Sequence, residues 1–352
     1  MATKNKSSVG LNRDAGANVT IKDIANSLGL AYSTVSRALA DHPKISSDTR
    51  ARVHEAARAM GYVPNGPARN MKNMQSPVVG LLIPDIQNSF YASIAKIVGD
   101  AAMERGLQLA LSVTEDNPAR ELQDLRAFVV SRAAGIIITP TATPKPETLA
   151  LLAGMRAAQL VRCHPEIEKE AVVIDDASAI RTAAVHLINY GHRRIGYVGT
   201  TTDFSCGVDR LSGFTAALQA NGLNQDFISV GLPRPEFAHH AVHAMMSRAD
   251  RPTGLVIGSS SLTIGALKAL RSLGLSAPAD VSLVGYGDPE WFDLVGDGLT
   301  TVSLPVQAMG TYAISSLLAQ IDGHVQFSGS TASASRFPAS LTVRGSTRPW
   351  RE

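Results

Sequence analysis

One segment constrains the fold more than any other part of this 352-residue chain: residues 20–64, TIKDIANSLGLAYSTVSRALADHPKISSDTRARVHEAARAMGYVP. Thr20 is a favourable helix N-cap, and Asp23 stands three residues later, where an acidic side chain can complete a capping box. Four apolar residues then recur at helical spacing: Ile21, Ile24, Ala25 and Leu28. Gly29 can adopt the left-handed conformation that ends a helix. The segment is therefore predicted to begin with a short amphipathic helix and a tight turn.

A second helix is predicted from Ala31 to Ala40, and a third from a cap at Ser46 to a stop at Gly61. The second helix would turn its apolar residues inward: Val35, Ala38 and Leu39. It would turn a polar and aromatic surface outward: Tyr32, Ser33, Ser36 and Arg37. Such a surface suits base edges and phosphates, as in the second helix of a helix-turn-helix.

The distribution of charge favours DNA binding over a three-helix unit with an ordinary solvated face. Residues 1–75 hold eleven Lys and Arg against five Asp and Glu, a balance of +6, whereas the whole chain carries +3. The remaining residues therefore carry −3. Because contact with phosphates requires a local basic excess, the charge marks the first 75 residues as the DNA-binding part.

Residues 77–352 alternate short apolar strands with helical stretches. Strands are predicted at 78–84, 107–114, 135–139, 159–162, 171–174, 195–199, 255–258 and 282–285. Helices are predicted at 88–105, 120–132, 177–190, 211–221 and 262–273. Alternation of this kind, interrupted once, indicates two parallel sheets with helices on both faces. Ligands bind such sheets at the carboxyl ends of the strands, so a cleft between two lobes is expected.

No apolar run approaches the length of a membrane span, and no apolar stretch follows the polar first 18 residues as in a secretory signal. Membrane association is therefore not expected. Cys163 and Cys206 do not make a disulfide framework, and two reduced thiols in a cytoplasmic protein are predicted.

The stretch IKDIANSLGLAYSTVSRAL, followed by ISSDTRARVHEAARAMGYVPN, resembles the start of a LacI/GalR-family transcriptional regulator. Later stretches are similar to the ligand-binding core of that family: VVGLLIPDIQNSFYASIAKIV, LINYGHRRIGYVG, RLSGF, LGLSAPADVSLVGYGD and LTTVSLPVQAMG. The resemblance implies an N-terminal all-α helix-turn-helix domain and an α/β two-lobed core like that of periplasmic sugar-binding proteins. It also implies that the chain crosses between the lobes near Ile174, Ser303 and Arg336.

The resulting domain prediction has four parts: a flexible tail at 1–18, a helix-turn-helix domain at 19–63, a hinge at 64–76 and a two-lobed effector-binding and dimerisation core at 77–352. One departure from the family is Ala31, where a Ser or Thr usually caps the recognition helix. Its absence is expected to cost ~1 kcal/mol of local helix stability.

The hinge sequence PNGPARNMKNMQS resembles the family's hinge helix, which orders in the minor groove beside its dimer mate. Met71 occupies the position of the family's wedging Leu, and Arg69 and Lys72 would face phosphate or groove. An ordinary flexible tether is the alternative. The predicted DNA contacts are Thr20, Tyr32, Ser33, Thr34, Ser36, Arg37, Asn65, Arg69, Met71 and Lys72.

For the cleft, the resemblance places the ligand-gripping Arg of the family at Arg210. Positions that hold Asp or Asn-Asp in family sugar binders fall here on Arg162, on Ser259 with Ser260, and on Gly287. The predicted ligand-binding residues are Asp85, Phe90, Tyr91, Thr139, Arg162, Arg210, Ser259, Asp288 and Trp291.

Exchange of an Asp for Arg162 favours an anionic ligand, because a guanidinium binds a carboxylate through two hydrogen bonds. With Arg210 and His164 nearby in this interpretation, a sugar acid is the predicted effector. The alternative is that Arg162 forms an internal ion pair with Asp175 or Asp176 and does not contact ligand.

Neither catalysis nor a cofactor is predicted. Cys163 and His164 are adjacent on a strand and would point to opposite faces. Three histidines, His239, His240 and His243, lack the further ligands of a metal site, so an exposed helix face is preferred. GYGDPE is too short for a dinucleotide fingerprint.

The sequence therefore predicts a ligand-responsive repressor of a carbohydrate or sugar-acid operon, active as a homodimer on double-stranded operator DNA, with a small-molecule effector. A periplasmic-type solute-binding protein is an alternative, disfavoured by the missing signal and the basic helix-turn-helix. An α/β enzyme is another, disfavoured by the lack of a nucleophile with its base. Whether the effector releases DNA or promotes binding stays open.

Overall fold

The computed structural model describes residues 19–62, 76–323 and 334–351. The described residues fall into two compact units, one in residues 19–62 and the other from residue 76 onward. The predicted tail 1–18, and the hinge up to residue 75 with Asn65, Arg69, Met71 and Lys72, lie outside the described residues.

The first unit contains the three predicted helices: α1 (Ile21–Leu28), α2 (Tyr32–Leu39) and α3 (Ser47–Ala59). The capping box is present, because the main-chain nitrogen of Asp23 donates to Thr20 Oγ1 at 3.3 Å and that of Thr20 donates to Asp23 Oδ2 at 2.8 Å. Gly29 ends α1 in the left-handed conformation, with φ of 64°. Ala31 occupies the N-cap position of α2, but its methyl side chain makes no capping hydrogen bond, as expected.

The second unit contains two six-stranded sheets. Its strands are β1 (Ser76–Ile83), β2 (Gln108–Val113), β3 (Ala133–Ile138), β4 (Ala157–Leu160), β5 (Ala171–Ile174), β6 (Ile195–Thr200), β7 (Ile228–Gly231), β8 (Gly254–Ile257), β9 (Ser282–Tyr286), β10 (Thr300–Ser303), β11 (Ala334–Phe337) and β12 (Ser340–Thr342). Its α-helices are α4 (Ser89–Glu104), α5 (Pro118–Val130), α6 (Pro146–Ala153), α7 (Asp176–Asn189), α8 (Ser205–Ala220), α9 (Pro235–Met246), α10 (Ser260–Ser272) and α11 (Val306–Ile321). A short 3-10 helix covers Glu290–Leu294.

Each sheet belongs to one lobe. The sheet of lobe 1 has the strand order β11-β5-β4-β3-β1-β2, and the sheet of lobe 2 has the order β12-β10-β9-β8-β6-β7. The strand pairs are parallel except for β12, which runs antiparallel to β10. The chain passes from β5 into lobe 2, from β10 back into lobe 1 and from β11 into lobe 2 again, so the three predicted crossings are confirmed.

The core lies on both faces of each sheet, as strands buried on both sides require. On β1, Leu81 and Ile83 join one apolar cluster, whereas Leu82 between them joins the cluster on the other face. Two further clusters enclose the sheet of lobe 2 in the same way. Among the described residues, no helix combines the length and the apolar character that crossing a membrane would need.

The start of one helix was predicted wrongly. Helix α8 begins at Ser205 rather than at residue 211, so Arg210 lies inside the helix. No side chain caps this end of α8, and Gly207 in its first turn reads in a sequence as a helix breaker. The glycine is needed there because a Cβ atom would lie 2.0 Å from the main-chain oxygen of Thr201.

Candidate functional site

The outward face of α2 has the composition that the sequence predicted. Tyr32 is 58% exposed, and Ser33 and Arg37 are also exposed, whereas Thr34 and Ser36 are half-buried. The guanidinium of Arg37 has no ion-pair partner within residues 19–62 and is available to a phosphate or base. Thr20 is exposed, but its hydroxyl is engaged by Asp23 Oδ2 at 2.7 Å, so its principal role in the described structure is to cap α1.

A cavity of about 600 Å³ lies between the lobes, at the carboxyl ends of the strands of both sheets. This volume is in the range of small-molecule sites, about 300–1,000 Å³. Six of the nine predicted ligand-binding residues line the cavity: Asp85, Phe90, Tyr91, Arg162, Arg210 and Ser259. The parallel topology therefore brings together residues that are far apart in the sequence.

Arg210 is the centre of a buried network on the lobe 2 side. Its Nε and Nη2 donate to the two carboxylate oxygens of Asp176 at 2.8 and 3.2 Å, Nη1 donates to the main-chain oxygen of Gly258 at 2.9 Å, and Nη2 donates to Tyr286 Oη at 2.8 Å. The Tyr286 hydroxyl also donates to Asp176. Burial lowers and Asp176 raises the pKa of Arg210, and the net shift is upward, so the guanidinium stays charged.

Arg162 is paired on the lobe 1 side, but not with either of the acids considered from the sequence. Its Nη1 donates to Asp116 Oδ1 at 2.5 Å and to the main-chain oxygen of Pro140 at 3.0 Å, and its Nη2 donates to Asp116 Oδ2 at 3.3 Å. Asp175 instead caps α7, and Asp176 pairs with Arg210. Arg162 therefore forms an internal ion pair, as in the alternative considered from the sequence, but its partner is Asp116.

Two polar atoms that belong to cavity-lining residues are buried without a hydrogen-bond partner in the described structure: Arg162 Nε and Thr200 Oγ1. Leaving a buried donor without a partner costs about 1–3 kcal/mol. A polar ligand that supplied the missing partners would recover this free energy.

Backbone strain is concentrated in loops of the same cavity. Glu115, Asp116 and Val161 all line it and have φ of 53°, 56° and 66°, in the left-handed region that favours glycine. Strained residues of this kind cluster at ligand sites, where the surrounding structure holds them. Their positions after β2 and β4 aim Asp116 and Arg162 towards each other.

Phe90 and Tyr91 form an aromatic wall at the start of α4, where Asn88 Oδ1 caps the helix by accepting from the Phe90 main-chain nitrogen at 3.1 Å. Their rings meet edge to face with centroids 5.2 Å apart. Burial raises the pKa of Tyr91 to about 12, so its hydroxyl remains protonated.

The structure does not place Thr139, Asp288 or Trp291 among the residues that line the cavity. Thr139 is fully buried. Asp288 accepts two hydrogen bonds from Arg344, at 2.9 and 3.2 Å, and one from Ser303 at 3.2 Å. Trp291 packs edge to face on Phe292 at 4.5 Å and is 38% exposed.

Several lining residues were not predicted from the sequence, chiefly Asp116, Thr200 and Tyr286. The available signal was their position, since each lies at or just after the carboxyl end of a parallel strand. Asp176, which pairs with Arg210, follows β5 in the same way.

The pKa shifts of the two thiols and of His164 do not favour a reactive pair. Burial raises the pKa of Cys163 and of Cys206 and lowers that of His164, which opposes formation of a thiolate–imidazolium pair. In the part of the chain that the structure describes, no three His, Cys, Asp or Glu side chains are grouped to hold a metal ion.

Comparison with known proteins gives a consistent result. Residues 20–65 match the bacterial regulatory proteins of the lacI family, and residues 184–347 match a periplasmic binding protein-like domain. The HTH-type transcriptional regulator GalR of Escherichia coli K12 is 30% identical over 306 residues, which cover 86% of this chain and 89% of GalR.

Two solved structures have the same architecture. The lac repressor dimer bound to operator and the anti-inducer ONPF superposes with a TM-score of 0.82 at 22% identity, over 94% of this chain and 100% of that chain. The complex of the transcriptional regulator CelR with cellobiose superposes with a TM-score of 0.68 at 27% identity, over 94% and 100%.

Proposed function

The chain belongs to the LacI family of bacterial regulatory proteins and is a ligand-responsive DNA-binding transcriptional regulator, and we propose that it represses a carbohydrate or sugar-acid utilisation operon. Its effector is a small sugar or sugar acid that binds between the lobes. The observation that supports this most strongly is the interlobe cavity, whose lining includes Arg162 Nε and Thr200 Oγ1 without partners in the described structure.

The cavity combines two properties that suit a sugar. Phe90 and Tyr91 offer an apolar wall for the faces of a sugar ring, whereas Asp85, Thr200 and Ser259 offer groups that exchange hydrogen bonds with hydroxyls. The structure of CelR with cellobiose shows that a protein of this architecture accepts such a ligand.

The DNA site proposed for the first unit has two parts. Helix α2 enters the major groove and contacts DNA through Tyr32, Ser33, Thr34, Ser36 and Arg37. Thr20, which caps α1, lies near a DNA phosphate. The hinge, with Asn65, Arg69, Met71 and Lys72, binds the minor groove. Two copies of the chain form a homodimer that reads a near-palindromic operator, in line with the dimeric lac repressor–operator complex.

The effector acts through the equilibrium between lobe arrangements. A ligand that contacts both Arg162 in lobe 1 and Thr200 in lobe 2 favours the closed arrangement. Such a ligand changes operator affinity only if the two arrangements differ in their affinity for DNA, and the coupling is then reciprocal.

Matched arginine variants test both halves of the proposal. Operator affinity is measured by fluorescence anisotropy on DNA from upstream of the gene and on a shuffled control, and ligand binding by the rise in melting temperature with sugars and sugar acids. Arg37→Ala should weaken operator binding roughly five- to 150-fold and leave ligand binding unchanged, since a bidentate base contact contributes ~1–3 kcal/mol. Arg210→Ala should abolish the ligand response.

Arg271→Ala, an exposed arginine on lobe 2, is the control and should change neither property. Equal affinity of the wild-type protein for the shuffled DNA would contradict sequence-specific repression. Full operator affinity of the Arg37→Ala variant would remove that residue from the DNA site.

A further inference from the structure

The first turn of α10 forms part of the lobe 2 wall of the cavity and carries three consecutive serines. Ser259 caps the helix by accepting a hydrogen bond from the main-chain nitrogen of Leu262 at 3.2 Å. Ser260 and Ser261 line the cavity and are half-buried, and their hydroxyls have no hydrogen-bond partner in the described structure. The wall therefore presents two uncommitted hydroxyls to a ligand.

The main chain of this turn adds two donors. Ser259 satisfies the amides of Leu262 and Thr263, the latter through its main-chain oxygen at 3.0 Å. The amides of Ser260 and Ser261 have no acceptor among residues 76–323 and 334–351. Because α10 is 13 residues long, this end also carries the positive pole of a full helix dipole.

A separate observation from β6 indicates that a ligand group belongs here. The register that pairs Val198 with Ile257 brings Thr200, two residues further on, beside Ser259. Thr200 is 2% exposed and lines the cavity, and its hydroxyl has no partner within the described residues. Thr200, Ser260 and Ser261 thus line the same cavity with hydroxyls that no described residue satisfies, and the buried Thr200 hydroxyl calls for a partner from outside the chain.

Gly287 explains why a serine fits at this wall. Its φ is 80°, and a Cβ atom at this position would lie 2.2 Å from Ser260 Oγ. The glycine therefore leaves the space that the Ser260 side chain occupies.

The two walls of the cavity differ in charge. The lobe 1 wall contributes Asp85, Glu115 and Asp116, and only Arg162 among its lining residues is basic. On the lobe 2 wall Arg234 lies at the rim, exposed and without an ion-pair partner in the described part of the chain. Negative charge on a ligand is therefore favoured on the lobe 2 side.

We propose that the effector carries an oxyanion, either a carboxylate or a phosphoryl group, and that this group binds at the first turn of α10. The amides and hydroxyls of Ser260 and Ser261 and the hydroxyl of Thr200 donate to it, and Arg234 adds charge at the rim. The sugar hydroxyls then face Asp85 on lobe 1. This inference rests on the proposed function, because it takes the cavity to be the effector site.

The site differs from a clamp made by Arg162 and Arg210. Those two guanidinium groups are already neutralised by Asp116 and Asp176, so a ligand carboxylate would have to compete with buried ion pairs. The first turn of α10 has donors that no protein acceptor uses in the described residues.

The experiment uses the full-length protein and four probes: inorganic phosphate, glucose, gluconate and glucose 6-phosphate. Binding is followed by melting temperature and calorimetry, and the effect on DNA by anisotropy with operator. The deciding variant is Ser261→Asp, whose carboxylate would occupy the anion position. It should remain folded, because an acidic residue in the first turn stabilises a helix.

The wild-type protein should bind phosphate and at least one of the two acidic sugars more tightly than glucose. Ser261→Asp should weaken anion binding at least about tenfold, because its carboxylate occupies the anion position. Ser260→Ala should weaken anion binding by a smaller factor, because it removes only one hydrogen bond to the charged group. Ser272→Ala, at the other end of α10, is the control and should bind like wild type. The affinities for gluconate and for glucose 6-phosphate show whether the site prefers a carboxylate or a phosphoryl group.

Failure of this inference is distinguishable from failure of the proposed function. If glucose binds and changes operator affinity while no anion does, or if Ser261→Asp binds anions like wild type, the oxyanion site is wrong and the effector role of the cavity stands. If anions bind and Ser261→Asp abolishes this, but operator affinity never changes, the site stands and the regulatory role is wrong.

Discussion

At the scale of single residues, Val161 shows how the cavity is held in shape. It follows β4 with φ of 66°, and the main-chain nitrogen of Arg162 donates to the oxygen of Leu160 at 2.7 Å across it. This is a tight turn that a β-branched residue adopts only under strain, at a cost of roughly 1–2 kcal/mol. The turn directs Arg162 towards Asp116.

The strain at Val161 can be tested by comparing its replacement by glycine with the same replacement at Val173, a similarly buried valine. Val161 is 7% exposed and Val173, in β5, is 6% exposed, so both lose similar burial. Val161→Gly should reduce the free energy of unfolding by about 1–2 kcal/mol less than Val173→Gly, because only the first substitution relieves a left-handed backbone. Denaturant unfolding of both variants measures the difference, and equal losses would show that the turn is unstrained.

Glu121 is a second residue whose environment has a measurable consequence. It is fully buried on α5 and accepts hydrogen bonds from the main-chain nitrogen and hydroxyl of Thr141, at 2.7 and 3.0 Å. These bonds hold the loop in which the Pro140 oxygen accepts from Arg162. Burial raises the pKa of Glu121 above its ordinary value of 4.5.

The raised pKa gives a pH dependence of known sign. Between 4.5 and its raised pKa, the folded protein holds a proton on Glu121 that the unfolded chain has lost, so this group's contribution to stability declines as pH rises through that window. Glu121→Gln should therefore increase the free energy of unfolding at neutral pH, and the gain should shrink as the pH falls towards 4.5. The exposed Glu104→Gln is the control, and a gain independent of pH would contradict the assignment.

At the scale of elements, the recognition helix α2 lacks the side-chain cap that α1 and α3 have. Ala31 has the extended backbone of an N-cap, with φ of −65° and ψ of 143°, but no oxygen to offer. Ala31→Ser should stabilise the helix by about 1 kcal/mol. Slower hydrogen exchange of the α2 amides would show this, whereas Ala40→Ser at the C-cap should have no such effect. Unchanged exchange after Ala31→Ser would contradict the prediction.

The elements that sequence predicts well are those whose ends carry local chemical signals. Thr20, Asp23 and Gly29 define α1 because a cap and a left-handed glycine act within one turn. The short strands β7, β10, β11 and β12 escaped prediction, because three or four residues are too few to show a periodic pattern. The start of α8 was predicted wrongly because Gly207 in its first turn resembles a helix breaker, whereas packing against Thr201 requires a glycine there.

The sequence predicted where the cavity lies, but not which charged side chains pair with each other around it. A cavity forms at the carboxyl ends of the parallel strands, and six of the nine predicted residues line it. The partners of Arg162 and Arg210 could not be chosen from sequence, because Asp116, Asp176 and Tyr286 lie 46, 34 and 76 residues away. Such pairs depend on strand register and loop shape, which local patterns do not encode.

At the scale of the whole effector-binding unit, the two lobes are joined at the start of α8. Ser205 Oγ in lobe 2 accepts from the Cys163 main-chain nitrogen in lobe 1 at 2.9 Å, and Asp209 pairs with Arg336 of β11 at 3.0 Å. The guanidinium carbon of Arg162 lies 3.5 Å from the centre of the Phe204 ring. These contacts, here called the α8 clasp, join the two lobes in the arrangement that the structure shows.

Loosening the α8 clasp at Ser205 and Asp209 should change regulation, although neither residue lines the effector cavity. The double variant Ser205→Ala with Asp209→Asn removes one hydrogen bond and one exposed ion pair, about 1–2 kcal/mol together, which shifts the ratio of open to closed lobes roughly five- to thirtyfold. Small-angle scattering of the ligand-free protein should show a larger radius of gyration. Operator affinity should move in the direction opposite to the effect of a ligand that closes the lobes.

Asp203→Asn is the control, because it affects only a hydrogen bond to Thr201 within lobe 2. If the double variant keeps the wild-type radius and operator affinity, the α8 clasp contributes nothing to the lobe equilibrium, and closure depends on the ligand alone.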